Sequence, residues 1–158
     1  MNAALLNELS SVECGAVESV LGYGIVSLNR YQESNMMTYG FENLEVWQNA
    51  RVLSKRIYQL TSTFPKSETF GLSNQMRRAA VSVCSNIAEG SSRTSLKDQA
   101  NFYQIAYSSL MEVLCQMIVS LDLSFLSHEE YMECRTGIDK ISRQLSKLRS
   151  SALSRINK

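Results

Sequence analysis

The residues most able to do chemistry lie at the end of the chain. From Lys140 onward there are six bases, Lys140, Arg143, Lys147, Arg149, Arg155 and Lys158, and no acid. Lys140, Arg143 and Lys147 recur at steps of three and four, so a helix sets them on one face, opposite Ile141 and Leu145. Such a stripe neutralises phosphates and binds a nucleic-acid backbone by releasing counterions. Arg51 and Lys55, four apart, form a second outward pair; the nearby Tyr58 reads as core-edge packing. No zinc-finger or RRM signature accompanies these bases, so binding would follow charge and shape, not base sequence. A solvated helix face whose bases complement the helix dipole accounts for the same pattern, and the sequence leaves both readings open.

Catalytic patterns are lacking. The chain has no G-x-G-x-x-G, no Walker A and no nucleophile elbow. A di-iron bundle needs paired Glu-x-x-His motifs, and His128 is the only histidine, placed where a helix begins. The four cysteines, Cys14, Cys84, Cys115 and Cys134, include no C-x-x-C. They read as reduced residues filling small core spaces rather than metal ligands. Neither an enzyme nor a cofactor is expected.

A chain of 158 residues is one domain by the usual prior. Its net charge of +1 is unevenly spread. Residues 1–36 hold Arg30 against Glu8, Glu13, Glu18 and Glu33, whereas the body carries fifteen bases against eleven acids. Residues 1–36 are expected to form a loosely ordered leader. Leu5, Leu9, Val12, Ala16 and Val20 make a weak amphipathic stripe that GYG breaks, and Met36 or Met37 is a candidate translational start. No signal peptide is visible and no run is expected to approach membrane-spanning length, so the expected location is cytoplasmic, without membrane association.

The elements that must position these residues are helices. Val46, Ala50, Leu53, Ile57, Leu60 and Phe64 share one face of a first helix, about 43–63, that Pro65 is expected to stop. Leu72, Met76, Ala79, Val83 and Ile87 share a face of the second, about 71–89, with Gly90 expected at its C′ position. Ser95 and Asp98 open a third helix, about 96–123. Its seam of Phe102, Ala106, Ser109, Val113, Met117 and Ser120 is widened by Ile105, Leu110, Leu114, Ile118 and Leu121, which predicts burial on more than one side. Ser127 and Glu130 form an S-x-x-E capping box for the fourth, about 128–152, with Tyr131, Cys134, Ile138, Ile141, Leu145, Leu148 and Ala152 inward. Four helices with short loops predict an all-α, antiparallel up-down-up-down four-helix bundle over 37–158.

The second helix is built of small residues. Arg78, Ser82, Ser85 and Glu89 fall on one line. The small flanks predict close helix approach, within the bundle or at a subunit contact. Glu89 stands in the last turn, where the helix dipole opposes it by up to ~1 kcal/mol, so a cation such as Arg93 or an arginine of another helix or subunit is expected beside it. Glu112, at the edge of the third helix, also calls for a cation, with Arg77 or Arg78 as candidates. These pairs read as structural rather than catalytic.

The segments FENLEVWQNARVLSKRIYQLTSTFP (41–65), GLSNQMRRAAVSVCSNIAEGSSR (71–93) and NFYQIAYSSLMEVLCQM (101–117) resemble the four-helix-bundle proteins encoded by intervening sequences of bacterial large-subunit ribosomal RNA genes. The second block is the most specific: Leu72, Gln75, Arg77, Arg78, Ala79, Ser82, Asn86, Ile87, Ala88, Glu89 and Gly90 fit the pattern, and Cys84 stands where proline is frequent. The chain is also similar to the related accessory proteins of diversity-generating retroelements. The resemblance implies a homopentameric ring without enzymatic activity, an assembly role for the Arg77–Gly90 motif, and RNA or DNA and a reverse transcriptase as partners. A pure protein–protein scaffold is the competing expectation.

Overall fold

The computed structural model describes residues 37–156, so the leader at 1–36 lies outside the described residues. Four helices follow one another: α1 (Glu45–Thr61), α2 (Leu72–Ser92), α3 (Leu96–Asp122) and α4 (His128–Ile156). Short 3-10 turns precede α1 (Gly40–Asn43) and join α1 to α2 (Lys66–Glu68). Among the described residues there is no strand.

Each helix packs on its neighbour in sequence, and α4 closes back on α1. The side chains fix the antiparallel order. Met76, Ser82 and Gly90 of α2 meet Ser120, Ser109 and Tyr103 of α3 in reverse sequence. On the closing seam Asn49 of α1 bonds Gln144 of α4, and Arg56 bonds Glu133. The five seam residues of α1 from Val46 to Leu60 are all buried, as is Phe64 just beyond its end, together with Met76, Val83, Ile87, Leu110, Val113, Met117, Ile138, Ile141 and Leu145. Each large member of this core stabilises the fold by about 1.5–3 kcal/mol relative to exposure.

α1 stops at Thr61, before Pro65 is reached. The hydroxyls of Thr61, Ser62 and Thr63 donate to the carbonyls of Ile57, Gln59 and Leu60 at 2.7, 2.6 and 2.8 Å, adding side-chain bonds to the last turn beside the backbone bonds from Ser62 N–H to Gln59 O and from Thr63 N–H to Leu60 O. At α3, Ser95 Oγ accepts the Asp98 N–H at 3.3 Å. At α4 both halves of the expected box form: Ser127 N–H donates to Glu130 Oε2 at 2.9 Å, and Glu130 N–H to Ser127 Oγ at 3.2 Å.

α3 ends in a Schellman arrangement, with Phe125 N–H on Ser120 O at 2.8 Å and Ser124 N–H on Leu121 O at 2.9 Å. The left-handed C′ position is taken by Ser124, at φ 58°.

Gly90 does not end α2, which corrects the sequence reading. The helix runs on to Ser92, and among the described residues no glycine has positive φ. Gly90 is buried because α3 leaves no room: a Cβ there would lie 2.8 Å from Tyr103 Cε1 and 3.1 Å from Phe102 Cβ. Its task is close approach.

The expectation about membrane-spanning length is also corrected. The 27 residues of α3 include an 18-residue window of mean hydropathy 1.3, long and apolar enough by composition to cross a bilayer. The physical reason is its place in the bundle, since it packs on both α2 and α4 and is apolar on two sides.

Candidate nucleic-acid interface

Within the chain, the Arg77–Gly90 motif builds the α2–α3 seam. Ala79, Ala80, Val83 and Gly90 are buried. Ser82 Oγ and Ser109 Oγ lie 2.9 Å apart across the α2–α3 seam, and Asn86 Nδ2 donates to Ser82 O at 2.8 Å and to Ser82 Oγ at 3.1 Å. The small residues therefore bring two backbones together, and the hydroxyls satisfy one another where that approach excludes water. Glu89 pairs with Arg93, one of the candidates expected from sequence. Arg93 also lies over the Phe102 ring, 4.7 Å from its centroid, tying the end of α2 to α3.

Glu112 does not meet Arg77 or Arg78, contrary to expectation. It is exposed and accepts a bond from Gln116 Nε2 at 3.1 Å. Arg77 turns instead to α1, donating from Nε to the buried Thr61 Oγ1 at 2.8 Å, with its guanidinium 5.1 Å from the Tyr58 ring centroid. Arg78 is exposed and forms no ion pair among the described residues. Tyr58 thus stacks on a base from α2.

The candidate phosphate-binding bases occupy three sides of the bundle. Arg51 packs over the Trp47 ring at 5.3 Å, and Lys55 projects outward one turn later. Lys140 lies at the α1–α4 seam, where its Nζ meets Glu45 Oε1 at 2.7 Å. This hydrogen bond and the lysine's charge hold the Glu45 carboxyl below its ordinary range. Arg143 and Lys147 are exposed one and two turns further along α4. Arg149 faces α3, where it lines a cleft of about 200 Å³ with Tyr103, Gln104, Tyr107, Leu145, Ser146 and Ser150. Among the described residues Arg143, Lys147, Arg149 and Arg155 make no ion pair.

Two features escaped sequence reading. Arg56 bonds Glu133 at 2.7 Å across the α1–α4 seam, with no local spacing to signal it. Tyr103 and Tyr107 join Arg149 in one cleft although more than forty residues separate them along the chain. His128 is an exposed first residue of α4, with its ring 6.4 Å from that of Tyr131. Burial raises the thiols of Cys84 and Cys134 to about 11, so both are poor nucleophiles at neutral pH, and Cys115 is exposed. Among the described residues no group of three His, Cys, Asp or Glu side chains is placed to hold a metal ion.

A sequential antiparallel bundle, with a small-residue seam between its second and third helices and bases on its last, defines a compact all-α class. The description of the 23S rRNA-intervening sequence proteins matches residues 42–147, more than half of the chain, and the chain belongs to that family. A crystal structure of a protein with unknown function from the S23 ribosomal protein family of Bacteroides thetaiotaomicron has a similar fold. The TM-score is 0.62 at 21% identity, over 66% of this chain and 95% of that one. No curated protein matches.

Proposed function

We propose that the chain is a non-enzymatic accessory factor that binds RNA or DNA through its basic surfaces and assembles into a ring, with a homopentamer as the expected order. One observation carries this reading. Arg143, Lys147, Arg149 and Arg155 stand exposed and free of ion pairs among the described residues, on a helix without an acid beyond Asp139. Repetition around a ring would multiply the field of these few bases and make phosphate binding effective. A reverse transcriptase is the partner that the retroelement resemblance suggests.

A protein scaffold is the second reading, favoured by one specific face. Ile105 and Val119 of α3 are 40% and 42% exposed, and they fall on one helical line with Glu112, at steps of seven, without a base among them. That face suits contact with protein more than with phosphate.

Fluorescence anisotropy with a labelled structured RNA separates the two. Double replacement Arg143→Gln with Lys147→Gln should weaken RNA binding and flatten its salt dependence, each lost phosphate contact lowering the slope by about one. Wild-type affinity that ignores ionic strength would sink the nucleic-acid reading.

A further inference from the structure

The cleft between α3 and α4 has a composition that sets it apart. Leu145 forms its floor, the buried Tyr103 one wall, and the half-buried Tyr107 its edge. Gln104, Ser146, Arg149 and Ser150 surround the mouth. Three other clefts each include a carboxylate: Glu133 beside Arg56 and Lys140, Glu45 beside Lys147, and Glu89 near Tyr39. The α3–α4 cleft has a guanidinium and no acid. Its six polar side chains can all donate hydrogen bonds, and among the described residues none of them bonds to another group of the protein. A pocket of unused donors around one cation is complementary to an oxyanion. At about 200 Å³ it is several times the ~30 Å³ that a water occupies in the liquid, so a phosphate group fits.

We propose that this cleft seats a phosphate group, with Arg149 supplying the charge, the hydroxyls of Tyr103, Ser146 and Ser150 donating to its oxygens, and Tyr107 offering a ring face to the adjoining base. The favoured source is a nucleic-acid strand, and to that extent the inference rests on the function proposed above. Gly90 contributes from behind, because its missing side chain lets α2 press on the Tyr103 ring and hold the hydroxyl in place. Tyr107 at the edge matches how single strands stack on aromatic side chains without reading their sequence.

The test uses the full chain labelled with ¹⁵N and titrated separately with inorganic phosphate, adenosine monophosphate and a short single-stranded RNA. Shifts at residues 103–107, residues 146–150 and the Arg149 Nε signal are expected with all three, confined there for phosphate and the mononucleotide and joined by Arg143 for RNA. Arg149→Gln should reduce RNA affinity about tenfold, the loss of one charge-assisted bond. Tyr103→Phe, which keeps the ring against Gly90, should reduce it about threefold. Shifts with phosphate and the mononucleotide but not RNA would support the phosphate seat while overturning both the strand as its source and the proposed function. RNA binding that is unchanged in Arg149→Gln and Tyr103→Phe but weakened in Arg143→Gln would overturn the seat and leave the proposed function standing. No shift at the cleft with any ligand would overturn the seat outright.

Discussion

Replacing Gly90 by alanine sets two effects of opposite sign against each other. Alanine is better than glycine inside a helix by about 1 kcal/mol. Here the new Cβ would stand 2.8 Å and 3.0 Å from two Tyr103 ring carbons and 3.1 Å from Phe102 Cβ. Tyr103 is buried and Phe102 Cβ is fixed to the α3 backbone, so relief requires the helices to part. Overpacking of this kind costs about 1–3 kcal/mol, and two of these contacts are at or below 3.0 Å, which places the cost in the upper half of that range. The expected net loss is about 1–2 kcal/mol, or about 5 °C in Tm. Gly137, inside α4, provides the internal control, since nothing lies within 4 Å of its hypothetical Cβ. Gly137→Ala should therefore stabilise by about 0.5–1 kcal/mol. Urea unfolding followed by circular dichroism measures both. A Gly90→Ala protein as stable as wild type, or more so, would refute the close-approach argument.

Four further outcomes follow from the same structure. Ser124→Gly should raise stability by about 1 kcal/mol in the same urea assay, because glycine adopts the left-handed position without the penalty that serine bears. Ser127→Ala should cost about 1 kcal/mol by removing the α4 cap. The Ser127 N–H bond holds the Glu130 carboxyl below its ordinary 4.5 in the folded protein. That contribution is therefore present above the unfolded pKa and lost as pH falls through the lower folded value, and stability curves against pH should show a smaller acid loss in Glu130→Gln. Alkylation mapped by mass spectrometry at mildly alkaline pH should label Cys115 in the folded chain, with Cys84 and Cys134 labelled only on unfolding.

Much of the fold was legible because periodicity reports burial directly. The α1 seam from Val46 to Leu60 and the Ser127–Glu130 box are local patterns, and both are formed as the spacing predicts. Gly90 was misread because its reason is Tyr103, thirteen residues on and across a helix seam; from spacing alone a late glycine looks like a terminus. Arg77 and Glu112 share a helix pair, yet Thr61 and Tyr58 of α1 claim the arginine, a competition invisible without the tertiary order. The basic stripe was legible as composition. Its division into a paired Lys140, an outward Arg143 and Lys147, and an Arg149 turned into the α3–α4 cleft depends on helix phase relative to neighbours.

An assembled basic surface that binds nucleic acid is the central claim. Light scattering coupled to size exclusion, with and without a short structured RNA at low and moderate salt, tests it most directly. A ring-sized oligomer, with a mass near five chains, that takes up RNA at low salt and releases it as salt rises is the expected result. A monomer that elutes unchanged with RNA at every salt concentration would contradict it.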